Sequence, residues 1–404
     1  MLAAIMPTAS EDGNVPDGRE NRVTYPLERD RHVNFTLTFA KSHRSTMLGA
    51  MQLAGNARPG DPVGNRSRRS SGRPTLADVA SRAGVGTITV SRALRDPERV
   101  SSELRERIDA AISALGYVLN PNARALASAR ADVIGVLIPS LTNNVFAEVL
   151  RGIHDGLGDS ALQIQFGNTH YSADEEERLL RVFLGQRPSA LIVSGIDQLP
   201  ATRRLLETAG CPVVQIMETG PNPIDMMVGF SHFDGGRQAT EHMLQIGCRR
   251  IGFLGARMDP RSQRRLAGYR AALRSTGVFD ELLVTTTPSP SSVSMGAYLL
   301  RQAISKAPGL DGVVCNNDDL ALGVLFECNR QGISVPDRIC IAGYNDLEMM
   351  AVAYPSLTSI RTPRYEVGRQ AIAMIRAALA GDRPEQLIVD LGFELKVRES
   401  TTRQ

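Results

Sequence analysis

Cysteine, histidine and carboxylate side chains are the first candidates for metal binding or catalysis in this 404-residue chain. The five cysteines are scattered, without a Cys-x-x-Cys pair, and the six histidines show no metal-ligand spacing. The two acids of NNDD, at 316–319, are adjacent, and adjacent side chains of a helix point in different directions. We therefore expect no metal and no cofactor, and we interpret the cysteines as buried thiols in a reducing compartment.

The motifs of common α/β enzymes are also missing from the sequence. No Gly-x-Gly-x-x-Gly follows an apolar strand, and neither a Gly-Lys-Ser/Thr loop nor a Gly-x-Ser-x-Gly turn is present. The sequence thus predicts a protein that is not an enzyme. An enzyme acting on sugars, fused to a DNA-binding domain, remains an alternative.

Positive charge is concentrated in one segment of the chain. Residues 66–130 hold 12 arginines and 6 acidic residues, a net charge of +6, whereas residues 131–404 have a net charge of −3. A basic segment on a mildly acidic body indicates a polyanionic partner for that segment. A solvated basic surface would give the same counts, so charge alone leaves both interpretations open.

The elements that would present this charge are three short helices. In TLADVASRAGVGTITVSRAL, at 75–94, apolar residues spaced by three and four predict one helix before Gly84 and a second, Thr87–Leu94, after Gly86. The second helix would bury Val90 and Leu94. A third amphipathic helix follows and stops at Gly116. Three helices with a glycine turn between the first two predict a helix-turn-helix DNA-binding domain at 73–119.

The rest of the chain, 131–404, alternates short apolar strands with amphipathic helices, which predicts an α/β fold with doubly wound parallel sheets. Eight strands are predicted, at 133–138, 162–168, 190–195, 212–217, 250–256, 281–287, 312–317 and 339–346. Eight strand–helix units are more than one open sheet usually holds, so we expect two subdomains. Their expected bounds are roughly 131–231 plus 353–380 and 232–352 plus 381–404. Ligands of such folds bind at the carboxyl ends of strands, which places a site in the cleft between subdomains.

Residues 1–72 show no sustained period and are rich in polar residues, Gly and Pro, which predicts a disordered, basic lead-in. Met47 and Met51 offer alternative starts within this region. No apolar run approaches the ~18 residues needed to span a bilayer. The apolar part of the N-terminus is too short for a secretory signal, so we expect a cytoplasmic protein.

The string from Thr75 through VSSELRERIDAAISALGY to NARAL resembles the DNA-binding headpiece of the LacI/GalR family of bacterial transcription regulators. The resemblance continues to the C-terminus in RRLAGYRAAL, NNDDLALG, IAGYNDLE and PSLTSIRTP. The stretches PIDMMVGFS and DLGFELKVRES are similar to the gluconate-utilisation repressor branch of that family. The resemblance implies a helix-turn-helix headpiece, a hinge helix and a body similar to a periplasmic binding protein.

The resemblance also implies which headpiece residues contact DNA. Thr87, Ile88 and Arg92 match the positions that read bases, and Arg92 could bind O6 and N7 of a guanine. Thr75, Thr89 and Ser91 match phosphate contacts, which position the helix without reading sequence. A phosphate contact by Arg92 and simple packing by Ile88 remain alternatives.

The segment 120–130, NPNARALASAR, resembles the hinge helix of the family, which enters the minor groove. Asn120 and Arg124 are the expected contacts, and Leu126 matches the leucine that wedges open a central base step. Leu119 stands where the family has proline, and Pro121 follows, so we expect the helix to start near 120. Packing of Leu126 against the body is the alternative.

The resemblance places the effector contacts of the body at Asn144, Phe146, Arg265, Asn317 and Asp318, with Asn345 and Asp346 as weaker candidates. An arginine suits a ligand carboxylate, and amide and carboxylate groups suit hydroxyls, so a sugar acid is the expected effector. The residues themselves do not distinguish gluconate from other sugar acids, and it is the resemblance to the gluconate-utilisation branch that implies gluconate. A helix-surface ion pair for Arg265, a helix cap for Asp318 and a core position for Phe146 remain alternatives. The expected protein is a homodimeric repressor of a palindromic operator. A tetramer, another sugar, or a ligand that promotes DNA binding is also compatible with the sequence.

Overall fold

The structure is a computed structural model that describes residues 74–118 and 131–403. The headpiece is built from three helices: α1 at Leu76–Ala83, α2 at Thr87–Arg95 and α3 at Ser102–Leu115. A short 3-10 turn at Pro97–Arg99 joins α2 to α3. These bounds agree with the helices expected from the apolar spacing.

Local hydrogen bonds explain where α1 begins and ends. Thr75 and Asp78 form a reciprocal capping box, which satisfies amide groups that the first turn leaves without partners. Gly84 ends the helix in the left-handed region, at φ 66°, where a side chain would be strained. Arg107 of α3 donates from Nη2 to the carbonyl of Ala83 at 2.6 Å, so α3 helps to hold the turn.

The headpiece has a small core of its own, formed by the inner faces of all three helices. Its buried members are Val79, Ala80, Ala83, Val90, Ala93, Val100, Ile108 and Ala111, and Leu94 packs against them. The apolar positions that the spacing predicts for α1 and α3 lie in this cluster. Val90 and Leu94 thereby hold α2 in place.

Residues 131–403 contain two six-stranded sheets. The first has the order β11–β5–β4–β3–β1–β2 and is parallel throughout, and the second has the order β12–β10–β9–β8–β6–β7, with only β12 antiparallel. The strands of the first sheet are β1 Ala131–Ile138, β2 Gln163–Asn168, β3 Pro188–Ser194, β4 Val213–Ile216, β5 Met226–Gly229 and β11 Ile388–Asp390. Those of the second are β6 Ile251–Ala256, β7 Val284–Thr287, β8 Gly312–Cys315, β9 Cys340–Asn345, β10 Thr358–Arg361 and β12 Glu394–Lys396.

Helices cover both faces of each sheet, as the alternation of strands and helices predicts. They are α4 Asn144–Leu157, α5 Ala173–Gly185, α6 Pro200–Glu207, α7 His232–Gln245, α8 Pro260–Ser275, α9 Val293–Lys306, α10 Asp318–Gln331, α11 Glu348–Val352 and α12 Arg364–Ala380. No helix among the described residues is long and apolar enough to cross a membrane. The expected α/β fold with two parallel-sheet subdomains is confirmed.

The subdomain boundaries differ from the expected ones at two short strands. β10 belongs to the second sheet, although the sequence predicts 353–380 in the first subdomain, and β11 belongs to the first sheet, although the sequence predicts 381–404 in the second. The chain therefore crosses between sheets near 362 and again near 392. Strands of three or four residues carry too little pattern to reveal their sheet, because membership depends on the hydrogen-bonded neighbour.

Candidate functional site

The exposed face of α2 carries the side chains expected to read DNA bases. Thr87 and Arg92 are exposed, and 72% of Ile88 is exposed, which is unusual for a large apolar residue. Val90 is fully buried on the opposite side of the helix. The packing of α2 thus rules out a core position for Ile88 within the headpiece, and the base contacts themselves remain a proposal.

The residues expected to contact phosphate are partly engaged in contacts within the headpiece. The Thr75 hydroxyl donates to the Asp78 carboxylate at 2.7 Å, and this hydrogen bond lowers the pKa of Asp78. A phosphate contact by that hydroxyl would have to replace this hydrogen bond. Thr89 and Ser91 are half-buried on α2. Asn120, Arg124 and Leu126 lie outside the described residues, so their roles stay predictions.

A cavity of about 180 Å³ opens at the carboxyl ends of strands from both sheets. Ser140 follows β1 and Met217 follows β4 on one side, while Ala256 ends β6 and Asn345 ends β9 on the other. This is the position that a doubly wound fold predicts for a ligand. The volume corresponds to roughly a dozen water-sized spheres, which matches a small polyhydroxy compound.

Arg265 of α8 lines the cavity and is nearly fully buried. Its Nε donates to His232 Nδ1 at 3.2 Å, its Nη1 donates to the carbonyl of Asn316, and its guanidinium lies 3.8 Å from the centre of the Tyr344 ring. Burial lowers the pKa of Arg265. Arg265 is therefore not a surface ion pair.

Two more arginines face the same cavity. Arg257 lies 3.9 Å from the ring centre of Tyr171, and Arg261 donates to Ser194 Oγ at 3.3 Å. Arg261 and Arg265 are four residues apart on α8 and share one face of the helix. Asp259 caps α8, and although its burial alone would raise its pKa, the charge of Arg261 and the amide of Ser262 lower it.

Hydrogen-bond acceptors complete the cavity. Asp319 lines it, and burial raises the pKa of this carboxyl. Asn345 is only 4% exposed, and its Oδ1 has no hydrogen-bond partner among the described residues. A buried acceptor without a partner is costly, and a ligand hydroxyl would satisfy it. Three arginines and two acids give the lining a net positive charge with acceptors beside it.

Two of the expected effector residues do not face the cavity, which corrects their assignment. Asn144 is the first residue of α4 and is exposed, while its neighbour Asn143 lines the cavity, caps α4 and donates to the Tyr171 hydroxyl at 3.1 Å. Asp318 is fully buried behind the cavity. The two errors share one cause, since each side chain of a helix points about 100° from the next.

The carboxylate of Asp318 has a structural role instead. It accepts the backbone N–H of Leu347 and the hydroxyl of Ser359, both at 2.7 Å, and so ties α10 to the ends of β9 and β10. Burial raises its pKa to about 7. The helix cap belongs to Asn317, whose Oδ1 accepts the N–H of Leu320 at 3.1 Å.

Of the remaining expected effector residues, some line the cavity and others make structural contacts. Asn317 lines the cavity but is also bonded to Ser291. Phe146 lines the cavity as part of the buried core, so the core alternative describes most of its surface. Asp346 pairs with Arg398 at 2.7 Å, which favours a structural role.

A second group of charges beside the cavity joins the two subdomains. Asp197 follows β3 and Glu218 follows β4, whereas Arg264 belongs to α8. Arg264 binds Asp197 through two hydrogen bonds of 2.5 and 2.9 Å and lies 3.4 Å from Glu218. We call these three residues the clasp. Glu218 is 2% exposed, and its burial raises its pKa to about 7.

His232 lines the cavity and also contacts the clasp, with its Nε2 3.8 Å from Glu218 Oε2. Its Nε2 is 2.9 Å from the carbonyl of Met217 and its Nδ1 accepts from Arg265, an arrangement that requires Nε2–H. Burial and the charges of Arg265 and Arg261 lower the pKa of His232, so this histidine is neutral. It connects a cavity arginine in the second subdomain to the backbone of the first.

Sequence reasoning missed Asn143, Arg257, Arg261 and Asp319. Arg257 directly follows β6 and Arg261 lies in the first turn of α8, so the rule that ligands bind at strand carboxyl ends was the available signal. Which of the adjacent acids Asp318 and Asp319 faces the cavity depends on the rotation of α10 about its axis, which the sequence does not show. Two glycines set the position of α8 as well, because a Cβ on Gly236 or Gly268 would lie within 2.3 Å of backbone oxygen across the α7–α8 contact.

Two segments of the chain match known protein families. Residues 75–120 match the family described as bacterial regulatory proteins, lacI family, and residues 240–401 match a periplasmic binding protein-like domain. The chain is 44% identical over 337 residues to the HTH-type transcriptional regulator GntR of Pseudomonas aeruginosa, which covers 83% of this chain and 98% of that protein.

Solved structures show the same likeness. A LacI-family transcriptional regulator from Silicibacter pomeroyi has a TM-score of 0.77 and 37% identity, covering 82% of this chain and 100% of that chain. The lac repressor dimer bound to operator and the anti-inducer ONPF has a TM-score of 0.70 and 25% identity, covering 82% and 100%. The family expected from the residues is thereby confirmed: the chain belongs to the LacI family of bacterial regulatory proteins.

Proposed function

We propose that this chain is a transcriptional repressor that binds a palindromic operator as a homodimer and releases it when a sugar acid of the gluconate type enters the cavity. Family membership supports DNA-binding regulation. The observation that carries the effector class is the composition of the cavity. Arginines at 257, 261 and 265 suit a carboxylate, and the acceptors of Asp319 and Asn345 suit hydroxyls.

The resemblance of residues 223–231 and 390–400 to the gluconate-utilisation branch, together with the relative named GntR, favours gluconate over other sugar acids. The ligand would bind where both subdomains contribute, so it would favour one relative position of the two sheets. An effector can shift DNA affinity only by its preference for one state of the protein. We propose that the ligand relieves repression by lowering the affinity of the protein for its operator.

Two copies are needed because one recognition helix contacts too few base pairs to define a unique site. The lac repressor structure at 25% identity is a dimer on its operator, which supports the same arrangement here. Sedimentation of the purified protein, alone and on operator DNA, distinguishes a dimer from a tetramer.

The effector assignment is tested by binding and by gel shift. Gluconate should bind and weaken operator binding, and sorbitol, which lacks the carboxylate, should bind about tenfold or more weakly, because a hydrogen bond to a charged group contributes about 1.5–3 kcal/mol. Arg261→Gln should weaken the binding of gluconate and leave the binding of sorbitol unchanged. The matched control is Arg203→Gln, whose guanidinium pairs with Glu207 on α6. Equal affinity for both compounds would remove the sugar-acid assignment, and tighter operator binding with gluconate would reverse the logic.

The base-reading assignment is tested with Arg92→Ala. If Arg92 reads a guanine, the variant should lose about 1–3 kcal/mol of discrimination at one base pair in each half-site. An equal loss of affinity on every sequence would make Arg92 a phosphate contact.

We also propose that the protein does not act on its effector. Incubation of purified protein with gluconate should leave the NMR spectrum of gluconate unchanged. A new product would support the alternative of an enzyme fused to a DNA-binding domain.

A further inference from the structure

Two cysteines meet at the amino ends of the second sheet, at the edge opposite the cavity. Cys340 is the first residue of β9, and Cys248 lies three residues before β6. β8 runs between these two strands, and its first residue is Gly312. A Cβ on Gly312 would lie 2.8 Å from Met243 Cε and 3.2 Å from Cys248 Sγ, so a glycine here leaves space for these two side chains.

The two cysteines are neighbours through Gly312. Cys340 is paired in register with Gly312, and the position of a Cβ on Gly312 lies 3.2 Å from Cys248 Sγ. The Cys248 thiol donates to the carbonyl of Asp311 at 3.6 Å, and the Cys340 thiol donates to the carbonyl of Pro336 at 3.5 Å. The fold thus places the two cysteines side by side, and such closeness is the first requirement for a disulfide.

A cation lies against the pair. Nη2 of Arg403, an exposed side chain near the C-terminus, is 3.6 Å from Cys248 Sγ and 3.3 Å from the carbonyl of Asp311. The neighbouring Cys248 thiol and the charge of Arg403 lower the pKa of the Cys340 thiol, although burial opposes them. The neighbouring Cys340 thiol, together with burial, raises the pKa of Cys248. Of the two thiols, Cys340 therefore ionises more readily, and the thiolate is the form in which a cysteine is nucleophilic.

Other buried cysteines lack this environment and serve as internal controls. Burial raises the pKa of Cys315, and it raises that of Cys328 to about 12. Thiols of this kind are inert towards mild oxidants. The contrast separates the Cys248–Cys340 pair from ordinary core cysteines.

We infer that Cys248 and Cys340 form a redox-sensitive pair that hydrogen peroxide converts into an intramolecular disulfide. The Cys340 thiolate attacks one peroxide oxygen, the O–O bond breaks, and the departing hydroxide takes a proton to become water, leaving a sulfenic acid. Cys248, deprotonated in this step, attacks the sulfenic sulfur and expels hydroxide, which becomes a second water. The two thiols are oxidised by two electrons, and one peroxide is reduced to two waters.

The pair is shielded from solvent, and Arg403 is the exposed side chain that lies against it. Exposed side chains move more readily than core strands, so we expect peroxide to enter when Arg403 moves. The disulfide would join the segment before β6 to the start of β9 and constrain the unfolded chain. Oxidation should therefore raise the thermal midpoint and leave gluconate binding unchanged, since the cavity lies at the other edge of the sheet.

The experiment treats the purified full-length protein with hydrogen peroxide at neutral pH, followed by alkylation, digestion and mass spectrometry without reduction. The expected product is a Cys248–Cys340 linked peptide that disappears on treatment with dithiothreitol. Cys315 and Cys328 should not be oxidised and should be recovered as alkylated cysteines. The unmodified protein gives this result directly, so no variant has to fold for the proposal to be tested.

Variants then test the chemistry. Cys248→Ser keeps a hydrogen-bond donor but cannot form the disulfide, so Cys340 should be trapped by dimedone as a sulfenic acid. Arg403→Gln should slow disulfide formation by up to about tenfold, because it removes the cation beside the thiolate. The proposal would be overturned if Cys248 and Cys340 were both recovered as alkylated cysteines after peroxide treatment. Disulfides that join other cysteines equally often would overturn it as well.

Discussion

Glu218→Gln provides a quantitative test of the buried carboxyl of the clasp. Burial raises the pKa of Glu218 from an ordinary 4.5 to about 7, so its ionised form is less stable in the folded protein than in the unfolded chain. Each pKa unit corresponds to about 1.4 kcal/mol, which makes the full penalty about 3 kcal/mol.

The sign of the effect follows from which form the fold prefers. The folded protein favours the protonated carboxyl, so the contribution of Glu218 to stability is complete below pH 4.5 and is lost as the pH rises through 7. Glutamine stays neutral at every pH. The stability gained by Glu218→Gln should therefore be greater at pH 8 than at pH 5, by about 2–3 kcal/mol.

The assay is urea unfolding of both proteins at the two pH values, followed by circular dichroism. Taking the difference between variant and parent removes the titration of all other groups and the constant cost of the altered contacts with Arg264 and His232. Glu207→Gln is the control, because its carboxylate pairs with Arg203 at the surface and such pairs contribute about 0–1 kcal/mol. The same difference at pH 5 and pH 8 would refute the argument that an ionised carboxylate is buried here at a cost.

Three further predictions concern single positions. Gly86→Ser should stabilise the headpiece by a few tenths of a kcal/mol, seen as a higher thermal midpoint, because Gly86 caps α2 without a side chain and at an ordinary φ of −74°; a lower midpoint would contradict this. Asp318→Asn should cost about 1–3 kcal/mol in urea unfolding and leave gluconate affinity unchanged, since its two hydrogen bonds are structural; a large loss of gluconate affinity would return Asp318 to the effector site. Leu126→Ala should reduce DNA bending and operator affinity in a circular-permutation gel assay without changing gluconate binding, and unchanged bending would remove its role as a wedge.

Local sequence pattern was sufficient for the headpiece. Its helices are bounded by residues whose conformational preferences act within a few positions, such as Thr75 at a cap and Gly84 in a left-handed turn. The spacing of Val90 and Leu94 then identifies the buried side of α2, and the exposed side with Thr87, Ile88 and Arg92 follows from the helical period.

The strand pattern of the body was equally local, and each of the eight predicted strands is present in the structure. The short strands β5, β10, β11 and β12 were not predicted, because three or four residues show no period of their own. Their place in the two sheets depends on pairing between segments distant in sequence, such as β11 with β5.

The sequence by itself determined the fold class and the helix-turn-helix unit, because both depend on residue type and short-range spacing. Arg265, which lines the cavity, came from the resemblance to the LacI/GalR family. Only the tertiary structure decided that Asn143 and Asp319 line the cavity while Asn144 and Asp318 do not. It also brought Arg264 to Asp197 and Glu218, and Cys248 to Cys340. These contacts join residues separated by about 45 to 90 positions, and their existence depends on strand order and helix rotation, which are properties of the packed chain.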